Sequence, residues 1–249
     1  MDKVKVIARL FAVFALLAMS QGFAAGGAAL DHADIDPGNK ASLQRGARNF
    51  MNYCSGCHSA KYVRFNTIGK YLELSEEQLI ENLMFNAEKT FETINTAMPA
   101  DSAERWFGTA PPDMSLMARS KGADYVYSFL RGFYLDPDSP TGVDNKVLAG
   151  TSMPHVLWEL QGYQKALSSS HTEDGVTSHS IDGFELVIDG SMDGEDFDDF
   201  VRDTVNFLVY IAEPIRSERR KLGVWVLMFL IFFWILSVML KKQIWKDVK

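Results

Sequence analysis

Two cysteines and a histidine within five residues constrain this chain more than any other feature of its sequence. Cys54 and Cys57 are the only cysteines among 249 residues, and His58 follows directly. Residues three apart on a helix share one face. Both sulfur atoms can therefore face a single partner, with the imidazole held beside them.

The residues before this motif predict a helix that ends at it. Asn39 or Ser42 can cap the start of that helix. One apolar stripe at helical spacing leads to the first cysteine: Leu43, Ala47, Phe50 and Cys54. The stripe predicts that the helix packs against a core and holds the motif at its end.

The first 25 residues have the layout of a secretory signal peptide. Three basic residues precede an uncharged run from Leu10 to Met19, and small residues follow. Ten apolar residues are too few for a bilayer core, which needs about 20 in a helix. We expect residues 1–25 to be a signal peptide, with cleavage between Ala24 and Ala28, and residues 26–215 to form a periplasmic domain.

A second apolar segment near the C-terminus is long enough to span a membrane. The 19 residues from Leu222 to Leu240 carry no charge, and in a helix they cover about 28 Å. Cations flank both ends, so their count sets no orientation. With an exported body, we expect a single-pass anchor over 216–241 in the cell inner membrane and a cytoplasmic tail over 242–249. A buried core helix is the alternative interpretation.

The charge of the body excludes one class of partner. Residues 31–215 contain 14 Lys and Arg against 29 Asp and Glu, a net charge of −15. Such a surface disfavours nucleic acid and suits a cationic partner.

Export makes the cysteine spacing informative, because exported thiols usually form disulfides. A Cys-x-x-Cys-His motif instead indicates a covalent c-type haem, with thioethers from Cys54 and Cys57 and an iron ligand from His58. A thioredoxin-like redox pair would need a preceding strand and a parallel sheet, which the pattern does not indicate. Zinc would need two further ligands, and no other cysteine is present.

Iron needs a sixth ligand unless the site is open, and methionine is the common partner of histidine in electron carriers. Met98 and Met153 each precede a proline, which favours an extended backbone that can reach over a haem face. Local sequence alone leaves the choice between them open.

Several longer segments resemble the cytochrome c1 family. They are "CSGCHS", "WFGTAPPDMSLMARSKGADYVYSFLRGF" at 106–133, "SMPHVLW" at 152–158, and "NFLVYIAEP" before the C-terminal anchor. The resemblance implies a mainly α, class I cytochrome c-like haem domain with loop insertions, plus one C-terminal transmembrane helix.

The resemblance also assigns residues to the haem. It implies that Met153 is the axial methionine, so that His58 and Met153 are the metal ligands. The positions that match other haem contacts of the family are Pro111, Pro112, Arg119 and Tyr125, with Lys121 as a competing candidate for the role of Arg119.

The resemblance implies a one-electron carrier of the respiratory cytochrome bc1 complex, a dimeric assembly with cytochrome b and the Rieske iron-sulfur protein. Electrons would pass from the Rieske protein to a soluble or membrane-attached cytochrome c. No bond-making catalysis by this chain alone is expected. The alternatives are a c-type subunit of a terminal oxidase or nitric oxide reductase, and a haem enzyme with an open sixth position.

Further local patterns predict secondary structure. Asp124 can cap a helix with Val126, Phe129, Leu130 and Phe133 on one face, and another helix begins near Asp193. Residues 168–183 are polar enough for a surface loop, with a short strand over 184–188. The acidic run of that last helix is either a docking surface for a cationic cytochrome or a solvated face: Asp193, Glu195, Asp196, Asp198, Asp199 and Asp203.

Overall fold

A computed structural model describes residues 29–173 and 176–247, excluding the side chains of 170–179 and 217. The predicted signal peptide lies outside the described residues. The helices, in chain order, are α1 Lys40–Tyr53, α2 Phe65–Leu72, α3 Glu76–Leu83, α4 Ala100–Phe107, α5 Met117–Lys121, α6 Ala123–Arg131, α7 Trp158–Gln161, α8 Gly194–Ala212 and α9 Arg216–Ile244. The strands are β1 Ala60–Arg64, β2 Thr93–Ile94, β3 Phe133–Leu135, β4 Val143–Asn145, β5 Gly162–Glu173 and β6 Val176–Asp189.

The crossing of α1 and α8 organises the core. The predicted cap is confirmed, because the Asn39 side chain accepts a hydrogen bond from the Ser42 N–H at 3.2 Å. Gly46 brings the two backbones together, and the rings of Phe50 and Phe207 meet at 5.9 Å. The predicted stripe faces this contact, with Leu43, Ala47 and Phe50 fully or almost fully buried.

Helix α8 also follows its prediction. Asp193 is the N-cap, and its carboxylate accepts from the Asp196 N–H at 2.9 Å. Phe197, Val201 and Val205 are buried, and the helix stops at Ala212 before Pro214. The last helix of the body therefore begins and ends where capping and proline chemistry place it.

The three described sheets are antiparallel two-stranded pairs, β1 with β2, β3 with β4, and β5 with β6. A turn over 136–142 joins β3 to β4. The prediction of a surface loop over 168–183 is wrong, because most of that segment lies in the long hairpin of β5 and β6, which pairs Gly162 with Asp189 at its base. Most residues of 168–183 are polar, so hydropathy does not reveal the strands there.

The helix around Asp124 differs from its prediction. Gly122 is the N-cap of α6, and Asp124 instead accepts from the distant Ala33 N–H at 2.9 Å. Val126 and Leu130 are buried as expected, but Phe133 belongs to β3. A long-range hydrogen bond thus replaces the local cap.

Helix α9 is the candidate membrane span. Its segment Glu218–Ile244 has a mean hydropathy of 2.6 in its most apolar window, and none of that window is buried against the rest of the chain. Pro214 lies two residues before the start of α9 and outside its first turn. The exposed apolar surface excludes the alternative of a core helix.

Candidate functional site

The Cys-x-x-Cys-His segment forms a tight turn at the end of α1. The Cys54 carbonyl accepts from the N–H groups of Cys57 and His58, at 3.1 and 2.8 Å. The Ser55 hydroxyl donates to the Met51 carbonyl at 2.8 Å and fixes the turn to the helix. Both sulfur atoms and the imidazole therefore lie at the C-terminal end of α1, and the rest of that helix packs in the core.

The chemistry of the two thiols argues against a redox pair. Burial raises the pKa of the Cys54 thiol to about 12 and also raises the pKa of Cys57. Thiol–disulfide exchange requires a thiolate, and redox cysteines have lowered pKa values. Zinc is also unsupported, since the described parts of the chain contain no cluster of three or more His, Cys, Asp or Glu side chains that could hold a metal.

A single hydrogen bond orients His58. Its Nδ1 lies 2.8 Å from the Pro112 carbonyl oxygen, and a carbonyl can only accept, so Nδ1 carries the proton. Burial lowers the pKa of His58, although the Pro112 hydrogen bond opposes that effect. The imidazole is therefore neutral near pH 7, and Nε2 keeps the lone pair that an iron ligand needs.

Residues 112–115 are fixed against residues 58–62 by further hydrogen bonds. The Met114 N–H donates to the Ser59 carbonyl at 2.7 Å, and the Tyr62 N–H donates to the Ser115 hydroxyl at 3.1 Å. The Asp113 carboxylate accepts from the Lys61 N–H at 2.9 Å. Burial alone would raise the pKa of Asp113, but hydrogen bonds from Ser115 and Lys61 lower it. The predicted Pro-Pro segment is thus held against the attachment motif.

The two candidate methionines lie in different surroundings. Met98 follows Thr96, whose hydroxyl donates to the Gly56 carbonyl at 2.6 Å, so this segment is tied to the attachment turn itself. Met153 is half-buried and packs against the main core.

The loop before Met153 is held from one side by a buried carboxylate. Asp144 accepts from the N–H groups of Asn145 and Gly150, at 2.8 and 2.7 Å. On the other side of Met153, the ring of His155 stacks on Phe133 at 5.1 Å. The methionine segment is therefore fixed at both ends by groups that are not on the attachment turn.

The remaining predicted haem contacts group together around one cavity. Arg119, Lys121 and Tyr125 line one cavity of about 700 Å³, with the Lys121 ammonium 5.5 Å from the centre of the Tyr125 ring. In the part of the chain that the structure describes, no hydrogen bond or ring contact joins these three residues to His58.

Sequence reasoning missed four residues that build the site. Thr96 and Asp113 tether the segments on either side of the attachment turn, and Asp144 and His155 fix the loop around Met153. Burial lowers the pKa of His155 to about 4, so it is a neutral packing group there. The proline after Met98 and Met153 was a local signal, whereas the hydrogen bonds of Thr96 and Asp113 join residues 40 and 52 positions apart.

These features fit a covalent haem of the c type. Two half-buried, protonated thiols stand three residues apart at a helix end, and the adjacent imidazole presents an unprotonated Nε2. The body with this motif is followed by one exposed apolar helix. Fold and site together define a membrane-anchored c-type cytochrome.

Comparison with known proteins identifies the family. The chain matches the sequence model of the Cytochrome C1 family over residues 35–248 and belongs to that family. Cytochrome c1 of Allochromatium vinosum is 45% identical over 240 residues, which cover 96% of this chain and 98% of that protein. The ammonia monooxygenase gamma subunit of Nitrosomonas europaea is 40% identical over 88% of each chain. Cytochrome c1 of Rhodospirillum rubrum is 30% identical, over 85% of this chain and 83% of that protein.

Family membership confirms the predicted cofactor and fold class. Proteins of this family bind covalent haem c, and Cys54 and Cys57 are the only cysteines available to hold it. The class I cytochrome fold with a C-terminal apolar helix is likewise confirmed.

Proposed function

We propose that this chain is the one-electron carrier of a cytochrome bc1 complex, taking electrons from the Rieske iron-sulfur protein and passing them to a cytochrome c. Cytochrome c1 is the haem subunit of that complex, so cytochrome b and the Rieske protein are its partners. The hydrogen bond from His58 to the Pro112 carbonyl carries the proposal, because it leaves Nε2 free to bind iron.

Haem, when bound, supplies a single one-electron couple. In this proposal Met153 is the sixth ligand, because Asp144 and His155 hold its segment independently of the attachment turn. A filled sixth position excludes substrate from the iron, so electron transfer is the remaining role. Pro111, Pro112 and Tyr125 would line the ring, and Arg119 or Lys121 would pair with a propionate.

The ligand assignment can be tested by a visible spectrum. Met153→Leu should abolish the methionine–iron charge-transfer band in the far red and lower the reduction potential, because a thioether raises the potential. Met98→Leu is the matched control and should leave both unchanged. Retention of the band in Met153→Leu, with its loss in Met98→Leu, would reverse the assignment.

The topology proposed is a periplasmic haem domain, a membrane-spanning α9 and a cytoplasmic C-terminus in the cell inner membrane. The uncharged stretch in α9 supports the span, and the predicted signal peptide sets the orientation. Protease added to intact spheroplasts should digest the haem domain but spare a tag placed after Lys249. Digestion of the tag alone would invert the orientation.

Purification in mild detergent tests the assembly. Haem staining of a denaturing gel should mark this chain, and a b-type cytochrome with an iron-sulfur protein should co-purify as a dimeric complex. Recovery with a copper oxidase or nitric oxide reductase would support the predicted alternative. Recovery with monooxygenase subunits would instead align the chain with its Nitrosomonas relative.

A further inference from the structure

A cationic cavity of about 700 Å³ lies where the haem domain meets the start of α9. Five cationic side chains line it: Arg119 and Lys121 from α5, and Arg216, Arg219 and Arg220 from α9. Helices α5 and α9 therefore both contribute positive charge to this cavity.

The carboxylates of the cavity do not balance this charge. Asp34, Asp124 and Glu213 also line it, and in the proposed function one haem propionate pairs with Arg119 or Lys121, which leaves one positive charge in excess. Asp124 is engaged by the Ala33 N–H and His32, and Glu213 pairs with Arg219. Among the residues that the structure describes, Arg216 and Arg220 have no carboxylate partner.

Apolar residues continue from the cavity along α9. Leu222 and Trp225 begin the uncharged stretch, and both side chains are largely exposed. A ligand with an anionic end and an apolar end would fit the cationic cavity and the apolar surface of α9 next to it. An anionic phospholipid has both ends at the depth where the helix enters the bilayer.

The orientation of the helix strengthens the argument. Cations are concentrated on the cytoplasmic side of membrane helices, whereas the cavity lies on the side of the haem domain. Arg216 and Arg220 therefore do not serve insertion in the proposed topology. Because they line a preformed cavity instead, a bound anion explains their position.

We propose that this cavity binds the phosphate headgroup of an anionic phospholipid, with the acyl chains lying along the first apolar turns of α9. The proposal rests on the periplasmic placement of the haem domain in the proposed function. The lipid would stabilise the junction between domain and anchor by bridging α5 to α9.

The test counts lipids on the detergent-purified complex by native mass spectrometry after added dioleoyl phosphatidylglycerol. Wild type should retain one tightly bound phosphatidylglycerol per haem and no dioleoyl phosphatidylcholine. Arg216→Gln with Arg220→Gln should bind phosphatidylglycerol roughly 30-fold more weakly, because two cations near the headgroup are lost. These two residues are chosen because Arg119 and Lys121 are candidates for the haem.

The controls distinguish a general effect of lost positive charge from the loss of cations that line the cavity. Lys70→Gln with Lys165→Gln removes the same charge from exposed positions outside the cavity and should bind as wild type does. Arg216→Lys with Arg220→Lys should restore most of the binding. Haem content and co-purification with cytochrome b are measured on every variant, so a failure of the proposed function is seen independently of lipid binding.

Three outcomes would overturn the proposal. One is equal retention of phosphatidylglycerol by wild type and the Arg→Gln variant, and another is equal retention of phosphatidylcholine. Release of the lipid by millimolar inorganic phosphate would identify a free anion as the ligand. Binding by the isolated full-length chain but not by the complex would show that an acidic segment of a partner subunit fills the cavity, which also contradicts the proposal.

Discussion

Substitution of Gly46 by alanine would test the helix crossing that carries the haem attachment site. A Cβ added at Gly46 would stand 2.0 Å from the Asp203 carbonyl oxygen and 2.8 Å from Cβ of Phe207, whereas real contacts essentially never fall below 3.0 Å. The nearest atoms belong to backbone, so no side-chain rotation relieves the clash. The axes of α1 and α8 would have to separate by about 1 Å, a gap that forfeits a quarter to a half of each dispersion contact.

The expected loss of stability follows from this separation. Overpacking against backbone costs about 3 kcal/mol, and weakening of hydrogen bonds across the crossing, such as Asn49 to Thr204, adds about 1 kcal/mol. The higher helix propensity of alanine offsets about 1 kcal/mol. The free energy of unfolding should therefore fall by about 3 kcal/mol.

Urea unfolding of the haem-loaded, full-length chain in detergent would measure this change, by far-ultraviolet circular dichroism. Gly194→Ala is the matched control, because it lies in the first turn of α8 with no atom within 4 Å of the added Cβ. It should leave stability unchanged or raise it by up to about 1 kcal/mol. A loss below about 1 kcal/mol in Gly46→Ala would refute the close crossing.

Two further predictions concern carboxylates that hold distant segments. Asp144→Ala should free the loop before Met153 and weaken the far-red methionine–iron band, whereas Asp138→Ala, an exposed position in the preceding turn, should not. The Ala33 N–H holds the pKa of Asp124 below its usual 3.8, against a smaller opposing effect of burial. The stability that the Asp124 charge contributes is thus fully present above about pH 4 and is lost as pH falls through the lowered pKa. Unfolding midpoints of wild type and Asp124→Asn should differ at pH 7 and converge in acid; a constant difference would contradict this assignment.

Local patterns predicted the elements whose stability is local or periodic. The structure contains the stripe ending at Cys54, the cap at Asp193 and the uncharged run in α9. These features were predictable because caps and amphipathic faces depend on residues close together in the chain. Of the β5–β6 hairpin only the part over 184–188 was predicted as a strand, because residues 168–183 are mostly polar and show no hydropathy pattern of a strand.

The geometry of the site was not predictable in the same way. His58 and Pro112 are 54 positions apart, and only the folded chain brings the carbonyl to Nδ1. At Asp124, a hydrogen bond to a distant segment contradicted a prediction made from local sequence. Its position at a helix start favoured a cap, but Ala33, far away in sequence, provides the donor that it accepts. Hydrogen bonds between distant segments leave no periodic trace in the sequence.

Most carboxylates in the acidic run of α8 have partners within the fold, which weakens the prediction that the run is a docking surface. The Asp193 carboxylate is an N-cap, and three further acidic residues form ion pairs: Asp198 with Arg131, Asp199 with Arg202, and Asp203 with Arg45. Glu195 and Asp196 alone of the six have no described hydrogen bond or ion pair to their carboxylates. Charges neutralised within the fold steer a partner weakly, whereas the net charge of −15 over residues 31–215 acts at a distance of about a Debye length, roughly 10 Å at 0.1 M salt. The association rate with a cationic cytochrome should therefore be nearly unchanged in the double variant Glu195→Gln with Asp196→Asn. It should fall steeply as salt is added. A large loss of association rate in that variant would instead show that the acidic run is the docking surface.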